Sequence, residues 1–410
     1  MSVDARVVQP LERRAFWRDL SLLHAANGLV GFLFAASGPL AIVLAAGTKG
    51  GLAQADLASW VFGSLFFNGV VSIVFCLRYR QPLVFFWTIP GTVLIAPALG
   101  HLTLEEVVGA YVVTGVLMIA LGALGWVQRA MQLVPMPIVM GMVAGVFLAF
   151  GLDWVRAFRT DLVLVAVMTA SYFAVSAVPA LSARLPPLIV TLVAGIAMIA
   201  YAGFALPELD AASAFAAPRL HLPQFSWAAM IELVLPLLIS VLVVQNGQGF
   251  AVLRAAGHQA PLDAIAIGCG VTSTVAAFVG AVSTCLTGPV NAIISANDDR
   301  ARQYTAGVIA GTLAALCGLI APAVTRLMLA APPSFIAALA GLAMLRVLQS
   351  AFVVAFQGRF TLGALVTFLV TAAGIPVLNI GAPFWALVAG MIVSLLLERA
   401  DWRADEAATT

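Results

Sequence analysis

Leu286–Asn297 reads LTGPVNAIISAN, and well upstream Trp87–Ala96 reads WTIPGTVLIA. Laid over one another, the two share Thr-x-Pro-x-(Thr/Asn)-x-(Leu/Ile)-Ile: Thr88 falls on Thr287, Pro90 on Pro289, Thr92 on Asn291 and Ile95 on Ile294. Both lie in strongly apolar surroundings, yet both carry proline, glycine and small polar residues where a spanning helix would carry leucine. Proline near a helix start supplies a preset φ and lacks only an N–H that would be orphaned anyway. Each copy is therefore read as a half-helix that begins inside the membrane, its first turn opening onto a protein cavity. Paired interrupted segments at matching places in two halves point to a transporter's binding site.

The rest of the chain fits that setting. Of its 410 residues, 62% are hydrophobic and 9% charged, with a mean hydropathy of +1.07. This is an all-α polytopic membrane protein, not a soluble globule. Charge-free runs long enough to cross a bilayer, about 20 residues each, recur from end to end, and Ala264–Asn297 and Phe360–Leu397 can each hold two segments. A formal charge of +2 without a basic cluster speaks against nucleic acid. Cys76, Cys269, Cys285 and Cys317 stand apart with no CxxC spacing and read as small inert hydrophobes, so no metal or other cofactor is expected. The first apolar run, Leu20–Gly47, is too long for a signal-peptide core and is read as a retained span.

Spans are placed near 22–46, 57–77, 84–99, 104–124, 132–151, 162–180 and 187–205, then near 230–253, 262–281, 284–297, 304–324, 333–355, 361–378 and 382–398. The one long linker, around 206–228 with Pro207, Pro218 and Pro223, sits at the midpoint. About 14 segments split evenly put an odd number in each half, which forces the halves into opposite orientations: two inverted repeats of seven. With the N-terminus inside, fourteen of the 20 Lys and Arg fall in inner loops and tails, from Arg6 to Arg403. Lys49, Arg156, Arg159, Arg219 and Arg326 fall outside, and Arg346 within a span. That asymmetry obeys the positive-inside rule and makes both termini cytoplasmic. Gly141/Gly145 and Gly307/Gly311 are spacings that let helices approach closely.

Just before each half-helix lies a β-prone run, Val84–Thr88 and Val282–Leu286. Extended backbone at membrane depth is tolerable only inside protein, so the two runs are expected to pair, making segments 3 and 10 each a short strand plus a half-helix. A half-helix start presents unpaired N–H groups and a partial positive charge. Two of them facing one cavity form an anion site without a cationic side chain, and neither motif contains Lys, Arg or His. Thr88, Thr92, Thr287 and Asn291 are read as hydrogen-bonding that anion or capping the helix starts, with Pro90, Gly91 and Gly288 in the same turns; back-bonding to their own helix is the alternative. If Asn291 is a ligand, Asn291→Leu abolishes uptake and leaves the fold intact. In the eighth span, Gln245, Asn246 and Gln248 are costly in apolar surroundings unless partnered. Gln245 and Gln248 share a helix face toward the cavity while Asn246 turns aside. Asn27 and Asn68 are weaker candidates. Phe32, Phe34, Phe86, Trp87 and Phe250 could wall in a flat ring, although an aromatic in a span usually serves packing. His24, Glu232, Asp263 and Arg346 are the ionisable residues within spans. The first three lie near an interface and read as solvated ends; Arg346 would reach a lipid headgroup or the inner surface.

These stretches, with Ser59–Asn68 (SWVFGSLFFN), Leu77–Pro82 (LRYRQP), Val134–Leu152 (VPMPIVMGMVAGVFLAFGL) and Gln245–Gly249 (QNGQG), resemble the benzoate/proton symporter (BenE) family over nearly the whole chain. The resemblance implies import of benzoate or a related aromatic carboxylate with protons, across a bacterial inner membrane. More distantly, the layout is similar to the uracil-permease and sulfate-transporter fold. That likeness implies a core domain from segments 1–4 and 8–11 (22–128 and 230–326) and a gate from segments 5–7 and 12–14 (129–205 and 327–398). The linker is then 206–229 and the cytoplasmic tails 1–21 and 399–410, with the core moving against the gate. Nucleobase carriers of that fold place acids on segments eight and ten. Here Gln245 and Val290 or Asn291 stand there, which argues against a nucleobase and leaves the proton site open.

An inorganic-anion (sulfate-like) transporter, or an anion channel, on the same fold is the competing reading. The aromatic walls speak against sulfate. An enzyme is disfavoured, because no HExxH, no GxSxG and no paired carboxylates accompany the cavity residues. A homodimer through the gate is left open.

Overall fold

In lipid a backbone N–H must find its partner within its own segment, so long runs of leucine, alanine and valine become helices. The computed structural model describes residues 13–131, 134–182, 185–203, 214–296, 299–375, 377 and 382–409. The N-terminal tail through residue 12, Arg184, the linker through residue 213 and Asn297 lie outside the described residues.

In chain order the main elements are α1 (Leu22–Lys49), α2 (Gln54–Tyr79), β1 (Phe85–Trp87), α3 (Ile89–Ala98), α4 (Leu104–Ala123), α5 (Met136–Ala157), α6 (Leu162–Ser176) and α7 (Pro187–Tyr201). After the linker come α8 (Trp227–Ala255), α9 (Leu262–Ala277), β2 (Thr284–Leu286), α10 (Gly288–Ile294), α11 (Gln303–Leu319), α12 (Pro333–Phe356), α13 (Thr361–Ala373) and α14 (Ala382–Leu397). Six of these, α1, α2, α4, α5, α8 and α12, are each long and apolar enough to cross a membrane.

Prolines set the breaks. Within α1 the helix interrupts at Ser37 (φ −94°, ψ −104°), whose hydroxyl donates to the Phe34 carbonyl at 2.8 Å, while Pro39 has no N–H to return to Ala35. The eleventh span does not continue to residue 324 as the sequence reading has it. It turns by 78° after Leu319 into a separate helix, Ala321–Ala330, because Pro322 stands at that helix's start. In α8, Pro236 cannot donate to the carbonyl of Glu232, and π-helical turns occupy Met230–Val234 and Ser240–Gln245.

The two β-prone runs do pair. β1 and β2 are antiparallel, with Phe85 opposite Leu286, Phe86 opposite Cys285 and Trp87 opposite Thr284. Thr88 N–H donates to Ser283 O at 2.9 Å and Thr287 N–H to Val84 O at 3.2 Å, which carries the pairing to both helix starts. All six strand residues are buried, so every outer-edge peptide group needs a partner. Ser72 Oγ accepts from Phe85 N–H at 2.8 Å, and Ser273 Oγ from Thr284 N–H at 2.9 Å. Asn246 Oδ1 accepts from Leu286 N–H at 2.7 Å. Asn291 brackets Val84, accepting from its N–H at 3.0 Å and donating to its carbonyl at 3.1 Å.

Two apolar clusters divide the molecule. One joins α1–α4 and α8–α11, with Trp60, Phe85, Trp87, Tyr111 and Tyr304 at its centre. The other joins α5, α6, α12 and parts of α7, α13 and α14, around Phe147, Met168 and Phe335, and takes in Ala41 and Ile42 of α1, Val93 and Leu94 of α3 and Ile239 and Val243 of α8 where the two sides meet. The GxxxG glycines serve the close approaches expected of them: a Cβ on Gly141 would stand 2.4 Å from the Ala364 carbonyl, and one on Gly311 2.8 Å from that of Gly69.

Candidate functional site

Between the two clusters lies a cavity of about 710 Å³. One wall comes from the break in α1 (Phe34, Ala35, Pro39), from β1 and the start of α3 (Phe86, Trp87, Ile89, Pro90), from α8 (Gln245, Gln248) and from the start of α10 (Thr287, Pro289, Val290). The opposite wall is the first half of α5 from Met136 to Phe147, Tyr172 and Ser176 of α6, the start of α7, and the second half of α12 from Ala343 to Val354. A cavity of this size, apolar with a few convergent polar groups, is the form small-molecule sites take.

Seven of the residues singled out from sequence as contacts for the guest line it: Phe34, Phe86, Trp87, Pro90, Gln245, Gln248 and Thr287. Gln245 and Gln248 face the space together, while Asn246 is fully buried and spent on β2. Gln248 lies directly over the start of α10; a Cβ on Gly288 would stand 2.5 Å from Gln248 Cγ, so the missing side chain at Gly288 is what admits the amide.

The other candidates stand elsewhere, and each has a reason. Thr88 caps α3, its hydroxyl accepting from Gly91 N–H at 3.2 Å and lying 3.2 Å from Ser240 Oγ. Gly91 packs α3 against α8, since a Cβ there would come within 2.9 Å of Leu237. Thr92 bonds back to the Thr88 carbonyl at 2.8 Å, as hydroxyls in helices do. Asn291, read from sequence as a ligand, is fully buried with both amide atoms committed to Val84. Asn27 and Phe250 are partly buried outside the cavity lining, Phe250 against the first cluster, and Asn68 donates to Ser64 O at 2.7 Å within its own helix.

The two half-helix starts are unequal. In α3 the Thr88 hydroxyl takes the Gly91 N–H and Pro90 has none, so that among the described residues the Ile89 N–H is the one left open in the first turn. In α10, Thr287 makes no side-chain cap, and among the described residues the Gly288 and Val290 N–H groups have no acceptor. The indole N–H of Trp87, at the same wall, also lacks a partner among the described residues. These are donors without acceptors, and the lining carries no carboxylate. No group of three or more metal-ligating side chains occurs among the described residues.

One expectation is corrected outright. The motifs are free of cations, but the cavity is not: Arg346 of α12 lines it from the far wall. It is an exposed side chain, donating from Nη1 to Gln349 Oε1 at 3.1 Å and hydrogen-bonded to the Tyr172 phenol. Among the described residues no ion pair includes it. The sequence marked Arg346 as the lone cation inside a span; it does not reveal which way α12 is turned.

The family model described as "Benzoate membrane transport protein" (BenE) matches residues 18–396. The chain is 30% identical over 374 residues to the inner membrane protein YdcO of Escherichia coli, covering 90% of this chain and 94% of that one. It is 29% identical over 388 residues to a benzoate membrane transport protein of Acinetobacter baylyi, covering 93% and 96% respectively. Among solved structures, the transmembrane domain of the cyanobacterial bicarbonate transporter BicA superposes with a TM-score of 0.63 over 94% of this chain and 100% of that domain, at 16% identity. At that identity the likeness speaks to fold alone.

Proposed function

The chain belongs to the benzoate membrane transport protein (BenE) family, a family of membrane transporters and not of enzymes, and from that premise we propose that it imports benzoate or a related aromatic carboxylate together with a proton. The observation that carries the cargo is the cavity itself: open donors and amides on one wall, a guanidinium on the other, aromatic and aliphatic side chains between, and no acid in the lining. A phenyl ring hiding about 150 Å² of apolar surface between Phe34, Phe86, Trp87 and Phe147 gains roughly 4 kcal/mol. Sulfate has no such face to bury.

In this reading the fold comprises two inverted repeats of seven segments, α1–α7 and α8–α14. The antiparallel pairing of β1 with β2, braced by Ser72 on α2 and Ser273 on α9, supports such a two-fold relation. The first apolar cluster corresponds to a moving core and the second to a gate, and the cavity lies along their boundary. With both termini cytoplasmic, the cavity runs from mid-membrane past Met136, Pro186 and Val354 toward the cytoplasm, an inward-facing state. The bilayer is that of a bacterial inner membrane. Thr287, Gly288, Gln245 and Gln248 receive the carboxylate; Thr88, Gly91, Thr92 and Asn291 hold the frame around it.

Uptake of labelled benzoate into proteoliposomes under an inward proton gradient tests the proposal. Accumulation above protein-free liposomes, blocked by excess unlabelled benzoate and unaffected by sulfate, is the expected result; competition by sulfate, or flux indifferent to the proton gradient, overturns it. Gln245→Leu and Gln248→Leu each remove a hydrogen bond to a charged group, worth about 1.5–3 kcal/mol. Each variant is expected to raise the apparent Kd for benzoate roughly ten- to a hundredfold, measured by titration calorimetry, with its melting temperature nearly unchanged.

A further inference from the structure

Resting on that reading, we infer that the pair formed by His101 and the buried Glu232 is the proton-carrying site of the transport cycle. Glu232 sits on the first π turn of α8 and is 4% exposed, a carboxylate within the apolar first cluster's own helix. Its side-chain partner is His101, whose Nε2 lies 2.8 Å from Glu232 Oε2. The His101 side chain is 22% exposed, so one member of the pair meets solvent and the other does not. An ionisable residue inside a span is expensive and is kept for a reason. Imidazole is the side chain that exchanges protons near neutral pH.

The pair stands in contact with the rest of the machinery. His101 follows directly from the end of α3, its N–H donating to the Ala98 carbonyl at 3.1 Å. The other end of α3 starts at the cavity, where Thr88 Oγ1 lies 3.2 Å from Ser240 Oγ of α8. The two ends of α3, about 15 Å apart by helix rise, are thus both tied to α8, the helix that also carries Gln245 and Gln248. The pair lies at the outer ends of these helices, opposite the cavity mouth. The charged groups packed around it are on α4: Glu106, whose carboxylate caps Thr103 and acts electrostatically on His101, and Glu105. Glu105 Oε1 is 3.5 Å from His221 Nδ1, and His221 Nε2 is 3.5 Å from Asp56 Oδ1, with Arg219 3.4 Å from the same oxygen. From α14, which also packs on this turn, no ionisable side chain is contributed.

Charge balance favours moving the anion together with a proton. One proton from the outer medium binds between Nε2 and Oε2 and makes the pair neutral; its departure leaves one negative charge in apolar surroundings. The carboxylate substrate brings one negative charge to the cavity. Proton and anion together therefore leave the charge of the core unchanged, whereas the anion alone doubles the charge that must cross. The anion therefore crosses more cheaply with the proton than without it.

Two assays on Glu232→Gln, in proteoliposomes, separate this from a structural role. Benzoate counterflow at equal pH on both sides needs no net proton movement; accumulation driven by a proton gradient does. Glu232→Gln is expected to keep counterflow within about twofold of the parent and to lose gradient-driven accumulation, along with benzoate-dependent proton entry read by a trapped pH dye. Unchanged gradient-driven accumulation overturns the inference, as does equal loss of both activities in a variant that still elutes as folded protein. His101→Gln, at the more exposed member, serves where Glu232→Gln does not fold: it is expected to abolish or shift the pH dependence of accumulation, and an unaltered pH profile overturns the inference. A parent protein that shows neither counterflow nor accumulation refutes the benzoate reading itself, a result distinct from any of these.

Discussion

Arg346→Glu is expected to reduce benzoate uptake to the level of protein-free liposomes, and Arg346→Gln to weaken benzoate binding by about thirtyfold. The guanidinium lines the cavity without an ionic partner among the described residues. A carboxylate held about 8 Å away at an effective dielectric of 20 gains about 2 kcal/mol from it. Removing the charge forfeits that gain, and reversing it costs about as much again. Arg346→Lys keeps the charge but loses the fork that reaches both Gln349 and Tyr172, so an intermediate effect of a few-fold is expected. The measurement is the apparent Kd by calorimetry and its dependence on ionic strength. Equal affinity in Arg346→Gln and the parent would remove Arg346 from the site. Because Arg346 stands on α12 and the amides on α8, the proposed motion of core against gate would change the distance between charge and carboxylate. On the proposed topology, a cation in that place would draw the anion toward the cytoplasmic exit without being fixed to it.

Asn291→Leu is expected to be the most destabilising single change in the motif, and to act on the fold before it acts on transport. The side chain supplies both partners of the Val84 peptide at the buried edge of β1. Leucine leaves a donor and an acceptor without partners, each worth about 1–3 kcal/mol, or roughly 2–6 kcal/mol together, a large part of the margin a folded domain has. A strongly lowered melting temperature in detergent is expected, with the surviving fraction binding benzoate at the parental affinity. An unchanged melting temperature with lost binding would instead make Asn291 a ligand, which is the reading its place in the motif suggests. Among the asparagines and glutamines of the site, the distinction is one of direction. Asn246 and Asn291 turn to strands and Gln245 and Gln248 to the cavity.

The half-helices and the strands before them were legible because their determinants are local. Proline at the second helical position, a threonine ahead of it and a β-prone run before that leave the backbone few choices, and two copies of the pattern imply a pair. The bend after Leu319 is not legible from Pro322 alone, because a proline can begin a helix as readily as kink one. Gln245 and Gln248 could be placed on one face from their spacing alone. Whether that face meets a cavity or another helix is decided by neighbours far away in the chain.

The sequence by itself determined that the chain spans a membrane, that it is interrupted twice by strand and half-helix, and which family it belongs to, since apolar run length, proline position and motif order are properties of neighbouring residues. Only the tertiary structure decided which polar groups serve the site. Arg346 faces the cavity because of how α12 is rotated against α5, Asn291 serves Val84 because β1 lies beside α10, and Glu232 meets His101 because α3 ends against α8. Each of those meetings depends on a packing that no spacing within a single helix encodes, and the cost of leaving a buried polar group without a partner selects among them.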